Sequence, residues 1–370
     1  MNNLSDFHEK TSNFANSYGR AHGLFVGSGT AALAIACLQV NPSRPKILLP
    51  ALACAHVLYA VLYAGCTPVF VDVLPETGLI DPKKACELLT KDPQIGGIVV
   101  VHLYGQVVDT KRLSKIANDL GVLVIEDAAQ AQGATYKDGS LVGSHGDFSI
   151  FSFGHTKILD VGGGGILMTN SQKLFNMCRE TASDLLIPPE TSNKDLKRYR
   201  TKYYKIWREG EKDPTALLEI GDLHEEFRSS FLTSANPRCL QKVLDNVANL
   251  EKLISERKRL QQLYAKALGG LDNVSIVDPE PGWVPWRFVF QVPSSWRNDL
   301  IFILRKEKID VSSWYPSLSL FCNAAQPGQK PLKNAHIFSS QVVNLWLTPG
   351  YAEAMVSKSC SLISNYVRRR

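Results

Sequence analysis

Gly121-Val122-Leu123-Val124-Ile125-Glu126-Asp127-Ala128-Ala129-Gln130 is the stretch that decides the fold. Val122 to Glu126 reads as a short buried strand, and Asp127 sits where that strand ends. Similar apolar runs recur at Leu24–Val26, Ile47–Leu49, Pro68–Val73, Gly97–Leu103, Phe148–Phe153 and Gly165–Thr169. Helical patterns at Ala31–Gln39, Lys83–Leu89 and Lys111–Leu120 lie between them. Strands alternating with helices predict an α/β fold with a mostly parallel sheet covered on both faces. Ligands of such sheets sit at the carboxyl ends of the strands, so the residues just after each strand are the candidates for chemistry.

A chain of 370 residues is too long for one simple core. Two domains are expected: a large one over 1–238 and a bridging helix with a smaller α/β domain over 239–370. The large one carries a polar insertion at about 183–227, in which Pro188-Pro189 marks a break. Lys194 to Arg208 then holds seven basic residues together with Tyr199, Tyr203, Tyr204 and Trp207. Its apolar positions recur at helical spacing. Two readings fit: a surface helix with a solvated basic face, or a lid that meets an anionic substrate. Leu240, Val243, Leu244, Val247, Leu250, Ile254, Leu260 and Leu263 form one apolar stripe, predicting a single long helix that Gly269-Gly270 ends. A strand over Trp286–Val292, a helix near Asn298–Lys308 and a solvated tail at Arg368–Arg370 complete the reading.

The net charge is +6 and the calculated pI about 8.8. This mild excess is not the signature of a nucleic-acid binder, though it favours an anionic ligand. The eight cysteines, Cys322 among them, are scattered without zinc-ligand spacing. No metal site is expected, and the free thiols point to a reducing, cytoplasmic compartment. Ile47 to Val71 lacks any charged residue, but Pro50, His56, Gly65 and Pro68 interrupt it. It reads as strand, helix, strand, and no membrane insertion is expected.

Three features carry chemistry in order along the chain. Val26-Gly27-Ser28-Gly29-Thr30-Ala31 is a strand, a small-residue turn and a helix start, whose free N–H groups suit a phosphate. Asp127, at a strand end, can pair with a cationic ring nitrogen, or cap a following helix. Gln130, one helical turn on, could reach a ring hydroxyl. Lys157 follows the run Phe151-Ser152-Phe153 and leads into the glycines of Gly162–Gly165. Such a lysine can form an imine and act as a base, and Ser152 could offer its hydroxyl to the phosphate. His102 and His155 lie near strand ends, either as packed histidines or as tuners of the site. Phosphate cup, ring-nitrogen acid and imine lysine are the parts pyridoxal phosphate needs.

The segments SGTAAL, VHLYGQ, GVLVIEDAAQAQGA, VGSHGDFSIFSFGHTK and GGGGILMTN resemble the DegT/DnrJ/EryC1/StrS sugar aminotransferase family. The resemblance runs from about Tyr18 to Asn170 and resumes more loosely around Trp286–Tyr315. It implies a fold type I pyridoxal-phosphate enzyme, a homodimer with composite active sites, nucleotide-activated keto-sugar substrates and glutamate as amino donor. Carried over by position, it implies Lys157 as the Schiff-base lysine and Asp127 as the ring-nitrogen partner, the catalytic pair. Gln130 would contact the ring hydroxyl, and Gly29, Thr30, Ala31 and Ser152 would hold the phosphate.

The sequence departs from the family pattern at two places. Cys54, in Pro50-Ala51-Leu52-Ala53-Cys54, stands where relatives carry the aromatic residue that stacks on the ring. Either its thiol packs there or another residue such as His56 takes over. Glu226-Phe227-Arg228 is the nearest equivalent of an Asn-Tyr-Arg motif whose asparagine reaches the partner subunit's phosphate, and a glutamate there would repel it. Relatives that dehydrate sugars carry histidine in place of the lysine, so Lys157 favours transamination. A dehydratase and a non-catalytic sensor or partner subunit on the same scaffold remain the alternatives.

Overall fold

The computed structural model describes residues 2–186, 192–278, 280–321, 332–347, 350–351 and 353–370, so Pro188, Pro189 and Cys322 lie outside the described residues. Helix α1 (Asn2–Ser17) leads into β1 (His22–Val26), α2 (Gly29–Cys37), β2 (Lys46–Pro50), α3 (Ala55–Tyr63), β3 (Thr67–Val71), α4 (Pro82–Lys91) and β4 (Ile95–Val101). Next come α5 (Thr110–Asp119), β5 (Leu123–Asp127), β6 (Phe148–Ser152), β7 (Gly165–Thr169) and α6 (Gln172–Leu185). Several helices start where short polar side chains cap them. Asp81 accepts from the N–H groups of Lys83 and Lys84, with Pro82 in the first turn, and Ser171 accepts from Leu174.

These strands form one sheet in the order β1-β7-β6-β5-β4-β2-β3. The five from β6 to β3 run parallel, and β7 is antiparallel to both of its neighbours. The carboxyl ends of β1, β2, β5 and β6 therefore share one edge. Both faces of the sheet are covered, one by the larger core with α2 and α3, the other by α4 and α5 on Leu48, Val69, Ile98 and Val124. That explains why the strands read as unbroken apolar runs.

The charged segment forms α7 (Ser192–Gly210), α8 (Glu219–Glu226) and the short α9 (Arg228–Phe231). The stripe predicted as one helix is two, α10 (Pro237–Val247) and α11 (Leu250–Leu268), broken at Ala248–Asn249. Leu240 and Val243 enter the large core, whereas Leu260, Tyr264 and Leu268 enter another, and one straight helix could not serve both. That other core lies on a four-stranded antiparallel sheet, β10-β11-β9-β8, built from β8 (Ser275–Ile276), β9 (Arg287–Gln291), β10 (Val311–Ser312) and β11 (Val342–Trp346). Helices α12 (Ser294–Lys306), α13 (Lys333–Gln341) and α14 (Glu353–Arg368) complete the chain. The expected tail is not free: Arg370 pairs with Asp299 at 2.8 Å and donates to the Tyr366 hydroxyl. No helix among the described residues is long and apolar enough to cross a membrane.

Candidate active site

At the shared strand edge lies a cavity of about 490 Å³. Gly29, Thr30, Ser152 and Lys157 line it, as do Cys54 and His56. Among the described residues its walls carry four cations, Lys157, Arg200, Arg238 and Lys242, and no carboxylate. Asp127 and Gln130 are not among the lining residues and lie buried.

Lys157 sits in a loop closed on itself after β6. Its N–H donates to the Gly154 carbonyl, and the Val161 N–H returns to the Phe153 carbonyl. Asp160 accepts from the N–H groups of Thr156 and Gly162, and the Trp286 indole donates to the Thr156 carbonyl at 2.7 Å. Thr156 is held at a φ of 75°, a costly conformation for a threonine that these contacts enforce. The Lys157 ammonium has no ion-pair partner among the described residues, although its charge reaches His56, Cys54 and Asp127. His155 projects outward beside Asp160.

Asp127 ends β5 but caps no helix, because residues 128–133 form turns. One of its carboxylate oxygens accepts from the Ala129 N–H at 3.0 Å. Burial raises this carboxyl, while the Ala129 bond and the Lys157 charge act the other way. The neighbouring Glu126 faces the opposite side and is fully buried. It accepts from His102 Nε2 at 3.1 Å, from the Tyr136 hydroxyl and from the N–H groups of Gly143, His145 and Gly146. Burial alone would raise its carboxyl, but the His102 and Tyr136 bonds outweigh that and hold it at about 2. The Val108 N–H donates to His102 Nδ1, so the proton of that ring sits on Nε2. His102 thus supports the strand end from beneath and does not line the cavity. Gln130 is likewise engaged: its carbonyl accepts from the Tyr104 N–H at 2.7 Å and its amide donates to the Tyr315 hydroxyl at 3.0 Å.

The helix start at Gly29 is tightly enclosed. A Cβ on Gly29 would stand 2.7 Å from Ser152 Cβ, and one on Gly27 would meet Thr233 Oγ1 at 2.0 Å. Only glycine lets the turn approach both neighbours. Ser28 caps α2, accepting from the Ala31 N–H at 2.9 Å and donating to the Phe231 carbonyl. The Ala31 N–H is thereby spent inside the protein. Gly29 and Thr30 keep N–H groups without an intrahelical acceptor, beside the Ser152 hydroxyl.

Of the two readings of the Lys194–Arg208 segment, the structure fits the one that places it against the site. Leu196, Tyr199, Arg200, Tyr203 and Tyr204 bring one face of α7 over the cavity, so the aromatic stripe is a wall of the site. Ser230 to Lys242 supplies another wall, fixed by the Gly27 N–H donating to the Thr233 carbonyl at 2.9 Å. The capping Asn236 followed by Pro237 was the one sequence signal for it. Glu226 does not line the cavity; it bonds Lys202 on the surface at 2.7 Å. His56 lies 3.4 Å from Thr30 Oγ1 and 3.4 Å from the Tyr199 hydroxyl. Burial, and then the Lys157 charge, lower the His56 ring to about 4, which keeps it neutral. Burial raises the Cys54 thiol, which meets Tyr315.

An acid-free cavity, a helix start that a single Cβ would fill and a buried carboxylate below a free lysine suit a small phosphorylated ligand with a cationic ring. The model of the DegT/DnrJ/EryC1/StrS aminotransferase family matches residues 3–205 and 241–364. Members of that family use pyridoxal phosphate, and the donor set described above fits it. A GDP-perosamine synthase from Caulobacter vibrioides is 39% identical over 163 residues, 44% of this chain and 43% of that protein. A pleiotropic regulatory protein from Geobacillus stearothermophilus is 38% identical over 180 residues, 48% of this chain and 47% of that one. The chain thus matches less than half the length of these curated relatives. The Helicobacter pylori PseC aminotransferase, involved in pseudoaminic acid biosynthesis, superposes with a TM-score of 0.78 over 98% of this chain and 92% of its own, at 16% identity. That likeness is one of fold, the fold type I architecture.

Proposed function

From the premise that this chain belongs to the DegT/DnrJ/EryC1/StrS aminotransferase family, we propose that it is a pyridoxal-phosphate-dependent aminotransferase. It moves an amino group from glutamate to a nucleotide-activated keto-sugar, for surface polysaccharide or amino-sugar biosynthesis. The observation that carries this reading is the unpaired Lys157 in an acid-free cavity, with Asp127 buried beneath. Lys157, in place of a histidine, supports transamination over dehydration. An intact lysine and carboxylate also weigh against a non-catalytic role.

When bound, pyridoxal phosphate supplies a carbonyl that exchanges amino groups and a protonated ring that draws off electrons. The chain's own residues do the rest. Gly29 and Thr30 N–H groups and the Ser152 hydroxyl hold the phosphate, with Arg238 and Lys242 adding charge at the glycine-loop side. Asp127, fixed by the Ala129 N–H, would be the carboxylate that pairs with a cationic ring nitrogen. Gln130 acts through Tyr315, which it holds at the cavity wall beside Cys54. The neutral His56 and the Cys54 thiol form the side where a stacking aromatic would stand. Lys157 Nζ would take a proton from the donor's Cα as general base and give one back as general acid.

The reading includes a homodimer with composite sites, a cytoplasmic location, and a large domain over 1–238 joined to a small one over 239–370. Separate cores under the two sheets support a two-part organisation, although Leu240 and Val243, just past that boundary, pack into the large core. Addition of glutamate to the loaded enzyme tests the reaction. Loss of the cofactor's visible absorbance with release of 2-oxoglutarate is expected, and the absence of both at any glutamate concentration overturns the reading.

A further inference from the structure

His56 stands in the first turn of α3, with Nδ1 3.4 Å from Thr30 Oγ1 in the first turn of α2. Both residues line the cavity that Lys157 lines. The elements packed on the ring bring aromatic, neutral or cationic groups. Tyr199 of α7 places its hydroxyl 3.4 Å from Nε2, and the rings of His224 on α8 and Phe231 on α9 lie 4.9 and 4.8 Å away. The Cys54 thiol, raised by burial, faces the His56 N–H at the start of the same helix. Lys157 acts on the ring through its charge, and no carboxylate lines the cavity among the described residues. His224 and Phe231 belong to residues 206–240, the stretch between the two segments that match the family.

One carbonyl sets the proton positions along this chain of groups. The Ile220 oxygen can only accept, so His224 Nδ1 donates to it and His224 Nε2 accepts from the Tyr199 hydroxyl. The Tyr199 oxygen has then given its proton away and can only accept from His56, so His56 Nε2 carries a proton. A neutral imidazole has no other, which makes Nδ1 an acceptor and turns the Thr30 hydroxyl proton towards it. In that arrangement Thr30 Oγ1 offers lone pairs to the cavity, and a phosphate oxygen beside it would meet no donor. A second proton on the ring reverses only this last bond. Nδ1 then donates to Oγ1, the Thr30 proton is released towards the cavity, and the bonds to Tyr199 and His224 keep their directions.

Charge decides which arrangement holds. Burial and then the Lys157 charge keep the ring neutral, lowered to about 4. A phosphate dianion in the cup would place two negative charges next to Thr30, and a nearby opposite charge favours the protonated imidazole. We propose that His56 is a positioning residue of the phosphate site: it takes up a proton as a phosphate dianion enters, and so turns the Thr30 hydroxyl from the ring to the anion. The ring acts through Thr30 and the reacting atoms are not its partners. This inference rests on the assignment of the cup between Gly29 and Ser152 to phosphate, and proton uptake can be measured apart from binding.

Sulfate is the probe, because it is a dianion that does not itself titrate near neutral pH. The cofactor-free full-length chain is titrated with it by calorimetry at about pH 6, in buffers of different ionisation enthalpy. The loaded protein, whose cup is taken, gives the background. The parent should take up about one proton per site, and His56→Asn none. His155→Gln, at the exposed histidine of the same cavity, should keep the uptake. Sulfate affinity should rise in the parent as pH falls towards about 6, stay flat in His56→Asn, and be at least about tenfold weaker in that variant at the lower pH. Histidine-selective ¹⁵N spectra give a signature that a packing role would not move: both His56 ring nitrogens become protonated on sulfate addition. Thr30→Val removes the hydroxyl through which the ring acts, so His56→Asn should cost much less in that background than in the parent. If His56→Asn fails to fold, the spectra and buffer dependence of the parent and His155→Gln decide. Saturable binding without proton uptake, or uptake that His56→Asn retains, overturns the inference and leaves the phosphate cup standing. No binding above the loaded background strikes at the cup itself and takes the inference with it.

Discussion

Tyr199 donates its hydroxyl proton to Nε2 of His224 across 3.1 Å. The direction is fixed from the far end, because His224 Nδ1 donates to the Ile220 carbonyl at 2.9 Å and leaves Nε2 to accept. The Tyr199 oxygen is then free to accept from His56 Nε2, and His56 Nδ1 to accept from Thr30. One hydroxyl on α7 therefore orders a chain of protons that ends at the candidate phosphate anchor. Tyr199→Phe should leave the buried His224 Nε2 without its donor, at about 1–3 kcal/mol. At about 2.1 cal/mol/K per residue that lowers Tm by roughly 1–4 °C. Calorimetry on the loaded protein checks this. An unchanged Tm together with unchanged cofactor affinity would remove the chain from consideration.

Lys157→Ala should leave the fold intact, since the Lys157 side chain makes no hydrogen bond or ion pair among the described residues and the loop is held by Asp160, Trp286 and backbone contacts. Far-ultraviolet circular dichroism should match that of the parent. The visible absorbance of the cofactor should vanish, and any residual reaction should fall by at least about 10²–10⁴-fold, the range of general acid–base catalysis. A variant that retained the absorbance would place the reactive amine elsewhere.

Acid stability should separate two buried groups. Glu126 is depressed to about 2 in the folded protein from an ordinary 4.5. A depressed carboxyl contributes stability above its unfolded value and loses it as pH falls towards its folded value. Its contribution should therefore decline between about pH 4.5 and 2. His56, lowered to about 4 from 6.5, is also depressed, so its share is lost earlier, from about pH 6.5 downward. Urea denaturation across pH should show both stages in the parent. Glu126→Gln should be destabilised at pH 7, because an amide oxygen cannot satisfy every donor around Glu126, and it should lack the lower stage. His56→Asn should shrink the upper one, of which the part due to His224, lowered likewise by burial, remains. If neither variant changes the slope, the two environments are misassigned.

What was legible in the sequence follows from range. Each strand of the large sheet is a continuous apolar run, and its end is marked by a polar residue such as Asp127 or Ser152. The positions of Lys157, Asp127 and Gly29 at one sheet edge could thus be read locally. The Glu126 network could not, because its partners come from His102, Tyr136 and Gly143, which meet only after the sheet forms. The wall from Ser230 to Lys242 was hidden for the same reason: it crosses the chain by about 200 residues, as the Ser28–Phe231 bond does. Helix α1 was unreadable for another reason. Its sequence is polar, and tertiary contacts of Phe14 and Ala15 hold it in place. Gln130 shows the limit of transferring a role by position, since its amide is spent on Tyr104 and Tyr315.

Gly29 offers the sharpest test of the phosphate anchor, because its neighbour distances forbid accommodation. A Cβ there would lie 2.7 Å from Ser152 Cβ, closer than real Cβ contacts come, and 3.1 Å from Ser152 Oγ, which is also tight. Either the start of α2 or the end of β6 must move. Both carry groups assigned to the phosphate, so Gly29→Ala should weaken the cofactor whichever yields. Gly163 is the control. It belongs to the glycine run lining the same cavity, yet a Cβ there meets nothing nearer than 4.0 Å. A misplacement of this size costs on the order of 10²-fold in a site that depends on position. Equilibrium titration of the apoprotein should show a loss of that order for Gly29→Ala and little change for Gly163→Ala. Equal affinities for the two variants would mean that the phosphate is held somewhere other than between Gly29 and Ser152.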